Sequence, residues 1–272
     1  MSDKQIVLIT GANTGIGLEV VKALYQSNAS YEIIVGSRSL SNADNAIASV
    51  KQEFTSSRST LSTLQVDIAS DDSIHASFTE VQNRHGKLDV LINNAGASFD
   101  YAASQGKMSV RDAFNSAWDV NVTGTHVMTS EFAPLLLKSS NPRLLFVTSG
   151  TSSLQETEQF DTPQLARLNA SPEAGWPKPS GMTPIVSYRS SKTGLNMLMR
   201  EWTKTLKSDG VKVFAISPGF LATGLAGMGA EHLKKMGAGD PSKGGEFMRD
   251  VVEGKRDQDQ GKVIRPTMVQ PW

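Results

Sequence analysis

Short runs of Val, Ile and Leu recur along this chain with helix-length stretches between them. That rhythm limits the possible folds more than any other feature. The runs are Ile6–Thr10, Glu32–Gly36, Thr63–Val66, Val90–Ile92, Arg143–Val147, Val211–Ile216 and, more weakly, Lys262–Arg265. Between most of them the apolar spacing is near 3.6, as in Leu18, Val21, Leu24 and Tyr25. Near-continuous apolar strands alternating with helices imply βαβ units and a parallel sheet covered on both faces. Right-handed crossovers then give a doubly wound sheet. The expectation is an α/β, Rossmann-like, doubly wound parallel sheet forming a single domain. At 272 residues the chain can fill one large domain whose core needs no cross-links. No internal repeat or Gly/Ser-rich linker divides it.

Charge and composition narrow the partners. Lys plus Arg is 27 and Asp plus Glu is 27, so the formal net charge is zero. Such balance argues against nucleic acid or an anionic membrane, since both favour basic patches. Cysteine is absent, which excludes disulfides, a thiol nucleophile and thiolate metal sites, and fits a reducing compartment. His75, His85, His126 and His232 never fall at a metal-ligand spacing, so no metal is expected. No run approaches the ~18 apolar residues of a membrane span. The first residues lack a signal peptide's apolar region and cleavage site, so a cytoplasmic location is expected.

Two segments interrupt the rhythm. Residues 150–184 carry five prolines, and residues 220–240 carry five glycines. Both follow predicted strands, so both would stand over the carboxyl edge of the sheet, where ligands bind. The second ends at Asp240-Pro241, which reads as the start of a helix running towards Val252. With both ends anchored and a glycine-rich middle, it could carry Leu225, Met228, Leu233 and Met236 over a bound substrate.

The first strand ends in Thr10-Gly11-Ala12-Asn13-Thr14-Gly15-Ile16-Gly17 and a helix opens at Leu18. Glycines let a backbone approach a pyrophosphate, and the helix start offers free amides. The spacing is G-x-x-x-G-x-G, not the G-x-G-x-x-G fingerprint, so a tight turn that merely needs small residues is the alternative. About 20 residues further on, NAD sites place Asp or Glu, whereas here Ser37 and Arg38 occur. A guanidinium suits the 2′-phosphate of NADP, the alternative being a plain surface arginine.

Ser187-Tyr188-Arg189-Ser190-Ser191-Lys192 is the second chemical signature. In a helix Tyr188 and Lys192 lie i to i+4 on one face. An ammonium beside a phenol stabilises phenolate and brings its pKa down towards a working range. Taken alone, the pattern is common on helix surfaces. The glycine turn upstream changes that balance.

Together these features resemble the short-chain dehydrogenase/reductase family over essentially the whole chain. The motifs are Thr10–Gly17, Asp67, Asn93-Asn94-Ala95-Gly96, Asn121, Ser149, Tyr188 with Lys192, and Pro218-Gly219 with Thr223. The resemblance implies that Tyr188 is the general acid in reduction and the base in oxidation. It implies that Ser149 holds the carbonyl oxygen and that Lys192 depresses the Tyr188 pKa and binds the nicotinamide ribose. Asn121 would sit in an irregular helical turn and keep a proton-relaying water near Lys192. For the cofactor, the resemblance implies contacts from Gly11, Asn13, Thr14, Gly15, Ile16 and Gly17 to the pyrophosphate. Ser37 and Arg38 would meet the 2′-phosphate, Asp67 and Ile68 the adenine, and Asn94 the adenosine ribose side. Pro218, Gly219, Leu221 and Thr223 would line the nicotinamide. NADP (NADPH) is the expected cofactor.

Ser149 and Tyr188 lie 39 positions apart, more than in many family members. The extra length falls in residues 150–184, with Leu154, Phe160, Leu165, Trp176 and Met182, as either a lid or a surface excursion. The expected function is interconversion of a ketone or aldehyde and an alcohol on a moderately bulky, largely apolar small molecule. A non-redox enzyme on the same scaffold (an epimerase, dehydratase or cyclase) and a nucleotide sensor without turnover stay open. Surplus apolar residues on the helices after Asn121 and Tyr188 lead to the expectation of a homodimer or homotetramer: Val127, Phe132 and Leu135–Leu137, then Leu195, Met197–Met199 and Trp202.

Overall fold

The apolar runs become strands because both of their faces are covered. A computed structural model describes residues 4–178, 185–225 and 229–272. The strands are β1 (Gln5–Ile9), β2 (Tyr31–Ser37), β3 (Thr60–Gln65), β4 (Val90–Asn93), β5 (Arg143–Val147), β6 (Lys212–Ile216) and β7 (Val263–Ile264). They form one sheet in the order β3-β2-β1-β4-β5-β6-β7, and every pairing is parallel. The order reverses between β1 and β4, which places the switch-point crevice at their carboxyl ends.

Alternation along each strand divides the core in two. Ile6 and Leu8 of β1 point into one cluster, and Val7 and Ile9 into the other. The first lies under α3 (Asp71–His85), α6 (Gly124–Leu136) and α8 (Val186–Thr205), with Ile74, Phe132, Leu195 and Met199. The second lies under α1 (Gly15–Tyr25), α2 (Leu40–Glu53) and α10 (Ser242–Val252), with Leu24, Ile47 and Met248. Each buried Leu or Ile side chain contributes about 1.5–3 kcal/mol by leaving water. Between β4 and α6 run two further helices, α4 (Asp100–Ser104) and α5 (Val110–Trp118).

β3 starts earlier than the expected Thr63. It is an edge strand, so its outer positions stay polar: Ser62 pairs with Glu32 of β2 instead of joining an apolar run. The segment after β5 holds two short 3₁₀ turns, Gly150–Ser152 and Gln155–Glu158, and then α7 (Pro163–Asn169). Its Leu154, Phe160 and Trp176 are exposed, while Met182 lies outside the described residues. Across residues 220–240, Leu221 bridges Gly239, and α9 (Ala230–Lys235) sits between them. The middle therefore contains a helix where the glycines predict open loop. Leu233 is buried there, Leu225 and Met236 are exposed, and Met228 lies outside the described residues. No helix among the described residues is long and apolar enough to cross a membrane.

Candidate active site

The glycine-rich turn after β1 is shaped by backbone crowding. Gly11 takes φ +61°, a left-handed conformation that side chains disfavour. A Cβ on Gly17 would stand 2.5 Å from Asn94 Nδ2 and 2.6 Å from Gly11 O, so only glycine fits. Thr10 joins the turn to β4, because its hydroxyl accepts from Asn94 N (3.1 Å) and Ala95 N (3.0 Å). The Asn94 amide donates to Thr10 O (2.8 Å) and Gly11 O (3.1 Å). In the structure Asn94 thus braces the turn itself.

The helix start beside this turn is built for an anion. The N-caps of α2, α3 and α5 (Ser39, Ser70 and Ser109) accept first-turn amides with their hydroxyls. Thr14, the N-cap of α1, makes no such bond, and the first turn of α1 holds no acidic residue. Free amides and the positive end of the dipole therefore face the cleft with Gly15, Ile16 and Gly17. Thr223 closes the turn from the β6 side: a Cβ on Gly15 would lie 3.8 Å from Thr223 Cβ. Leu221 and Thr223 follow Pro218 and Gly219 (φ +107°) at the end of β6. This cradle fits a dinucleotide pyrophosphate.

Along the same edge, β2 ends at buried Ser37 and exposed Arg38. Among the described residues Arg38 makes no salt bridge, and its carbonyl accepts from Gln65 Nε2 (3.2 Å). Past β3, Asp67 folds back to accept from Ala69 N (3.1 Å), and Ile68 is buried. The Ile68 carbonyl packs so closely on Gly124 that a Cβ there would sit 1.9 Å away.

That contact lies next to an irregular turn. Residues Asp119–Thr123 form one turn of π-helix between α5 and α6, as expected around Asn121. Asn121 is fully buried, and all its described bonds hold this bulge in place. Its Oδ1 accepts from Ala97 N (3.0 Å), and its Nδ2 donates to Ala97 O (2.9 Å) and Ser191 Oγ (3.0 Å).

Tyr188 and Lys192 project from α8 towards Ser149, which follows β5. Lys192 is buried, and its Nζ donates to Val147 O (2.8 Å) and stands 5.9 Å from the Tyr188 ring centroid. A Cβ on Gly96 would lie 2.9 Å from Asn121 Oδ1 and 3.1 Å from Lys192 Nζ. Glycine at 96 is what lets these groups meet.

The electrostatics differ from the expected direction. Burial pushes Tyr188 up to about 12, although the Ser149 hydroxyl pulls it back. Burial also brings Lys192 down to about 8. Lys192 was expected to lower the phenol, but desolvation acts on both groups, and the ammonium is engaged with Val147 O. The outcome is a phenol that keeps its proton at neutral pH, the form an acid needs.

One residue at this site carried no sequence signal. Buried Asp100, on α4, accepts from Ser187 N (2.9 Å) and Tyr188 N (3.0 Å) and so caps α8 at the turn bearing Tyr188. Its partner Ser187 is 87 positions away, beyond the reach of any local capping pattern.

Comparison with known proteins places this geometry. Residues 5–160 and 178–233 match the family model of the short chain dehydrogenases. The chain is a short-chain dehydrogenase/reductase. The break in the match falls within the long segment after β5 and spans α7. This dehydrogenase is 50% identical to the short-chain dehydrogenase/reductase eupG of a Phoma species, over 99% of this chain and 98% of that protein. Its fold is similar to the NADPH-bound carbonyl reductase from chicken fatty liver, with a TM-score of 0.75, 22% identity and 99% of both chains covered. It is also similar to the 3-oxoacyl-(acyl-carrier protein) reductase of Brucella melitensis in complex with NAD. There the TM-score is 0.73 and the identity 19%, over 98% of this chain and 96% of that one.

Proposed function

We propose that this dehydrogenase uses NADP(H) to interconvert a ketone or aldehyde and an alcohol on a moderately bulky, largely apolar small molecule. The observation that carries the reading is the meeting of Ser149, Tyr188 and Lys192 beside the glycine cradle. When bound, the nicotinamide gives or takes the hydride. Tyr188 donates its proton to the carbonyl oxygen in reduction, and Ser149 hydrogen-bonds that oxygen and orients it. Lys192 holds the nicotinamide ribose, and Asn121 keeps open the irregular turn through which a water reaches Lys192.

Cofactor contacts divide along the carboxyl edge. Gly11, Asn13, Thr14, Gly15, Ile16 and Gly17 hold the pyrophosphate, and Ser37 and Arg38 the 2′-phosphate. Asp67, Ile68 and Asn94 face the adenosine, while Pro218, Gly219, Leu221 and Thr223 face the nicotinamide. An exposed Arg38 without a salt-bridge partner among the described residues supports NADP over NAD. The NADPH-bound carbonyl reductase is a relative in fold that points the same way, whereas the Brucella enzyme holds NAD. Titration of the wild-type chain tests the choice: NADPH binds more tightly than NADH, and equal affinities would overturn the NADP assignment.

The reading includes a cytoplasmic setting and assembly as a homodimer or homotetramer. Most of the surplus apolar residues on α6 and α8 are consumed by the chain's own core, among them Phe132, Leu135, Leu136, Leu195, Met199 and Trp202. Leu137 and Met197 stay exposed, as does Trp118, whose ring packs where Gly194 of α8 leaves room. Light scattering at micromolar concentration should give two or four times the 29.3 kDa of one chain, and a monomer mass would refute assembly.

A further inference from the structure

After β7 the chain turns back on itself and reaches behind the Ser149 turn. Arg265 N donates to Met268 O (2.8 Å) and Gln270 N to Val263 O (2.8 Å), so the return is tight. Its tip is tied to the turn after β5, where Trp272 O accepts from Ser153 Oγ (3.1 Å) and Gln155 N (2.6 Å).

Gln270 is the residue aimed inward, and it is 2% exposed. Its Nε2 donates to Ser149 O (3.2 Å) and Ser152 Oγ (3.3 Å), and its Oε1 accepts from Arg265 Nε (3.0 Å). Arg265 orients that amide from a fixed position. Its guanidinium forms a fork on buried Glu156, with Nη1 to Oε1 at 2.7 Å and Nη2 on Oε2, and it also donates to Gly150 O (3.2 Å). Ser152 gives the Ser149 carbonyl two further bonds, from Oγ (2.6 Å) and N (3.2 Å), and its Oγ accepts from Asn196 of α8 (2.9 Å). Asn196 in turn accepts from Thr148 Oγ1 (2.7 Å). One buried polar network therefore joins the return after β7, the turn carrying Ser149 and the helix carrying Tyr188.

Such a network is a poor way to gain stability. Apolar residues of similar volume often replace a buried ion pair at no loss, because desolvation offsets the attraction. What the network does provide is direction. A carbonyl held by three donors, of which only Gln270 comes from outside the turn, sets the plane of the Ser149–Gly150 peptide, and with it the direction in which the Ser149 side chain leaves the backbone.

We propose that Gln270, oriented by the Arg265–Glu156 pair, is a positioning residue that holds the Ser149 hydroxyl against Tyr188 and the carbonyl oxygen. This inference rests on the roles given above to Ser149 and Tyr188. It also gives Glu156 a role in the extra segment after β5: that segment begins as an anchor for the active-site turn.

The test is Gln270→Met, which keeps length and volume but removes the Nε2 donor to Ser149 O and the Oε1 acceptor of Arg265 Nε. Loss of an orienting bond worth about 1 kcal/mol lowers kcat about fivefold. Affinity for NADPH stays near wild type, while the melting temperature falls because Arg265 Nε loses its acceptor. Because the Ser149 hydroxyl lowers the Tyr188 pKa, its displacement moves the pH midpoint of alcohol oxidation upward, in the direction that Ser149→Ala also takes. The charged groups around Tyr188, namely Lys192 and Arg189 on its helix and Asp100 of α4, are untouched. Arg265→Lys keeps a charge for Glu156 but not the bond to Gln270, so it gives a smaller shift of the same sign. It serves as the probe if Gln270→Met does not fold. Exposed Met268→Ala, on the same return, leaves every value unchanged. A wild-type kcat and pH midpoint in the folded variant would overturn the proposal. So would a lower kcat matched by weaker NADPH binding at an unmoved midpoint. Tyr188→Phe run alongside separates the two levels: if it keeps turnover, the underlying reading of the site has failed. If it is inactive while Gln270→Met equals wild type, only the positioning role has failed.

Discussion

Tyr188→Phe is expected to lower turnover about 10²–10⁴-fold, the usual worth of a general acid, while NADPH affinity stays close to wild type. The substitution removes one hydroxyl from a half-buried ring and leaves the glycine cradle and the Lys192–Val147 bond in place. The raised pKa of this phenol fixes the sign of the pH dependence. With burial holding it near 12, the proton is present throughout the neutral range, so Tyr188 itself adds no pH dependence to reduction there. Oxidation of an alcohol needs the phenolate, and its rate should climb as pH rises towards that value. Steady-state rates in both directions, with a fluorescence titration of NADPH, check the whole pattern. Near-wild-type turnover in the variant would sink the assignment of Tyr188.

Arg38→Ala carries the next largest effect and acts on binding. Only NADPH presents a 2′-phosphate, and a charge-assisted contact to it is worth about 1.5–3 kcal/mol, or roughly one to two decades of affinity. NADPH should therefore weaken by about 10–100-fold while NADH changes little. Arg38 is exposed and makes no salt bridge among the described residues, so its removal costs the fold little and the comparison is clean. Equal weakening of both cofactors would show that Arg38 supports the adenosine site in general and reads no phosphate.

The sheet was legible in the sequence because its central strands are covered on both faces, and so are apolar at all but an end position. β1, β4, β5 and β6 announce themselves in this way. β3 does so less well, since an edge strand tolerates Thr60 and Ser62 on its outer side. The glycine turn and the Tyr188–Lys192 pair were legible because each is a local pattern in the chain. What lay beyond reach is what folding brings together from afar. Asp100 caps the helix of Tyr188, and Gln270 meets the Ser149 carbonyl across 121 positions. The direction of the Tyr188 pKa lies outside the sequence for a related reason. A local pattern shows the ammonium one turn away, but the cost of burying both groups depends on the surrounding packing, which spacing does not encode. The helix α9 inside a glycine-rich stretch belongs to the same class, for buried Leu233 holds it through tertiary contact.

The most direct test of the central claim is a stoichiometry. Wild-type protein is mixed with NADPH and a panel of apolar ketones and aldehydes, the loss of reduced nicotinamide is followed by absorbance, and the products are identified by mass. The account predicts that at least one carbonyl yields its alcohol, gaining two hydrogens, with one NADPH consumed for each molecule formed and consumption slowed about 10²–10⁴-fold in Tyr188→Phe. Conversion of a substrate with no net consumption of NADPH, or the same consumption by Tyr188→Phe as by wild type, would contradict it.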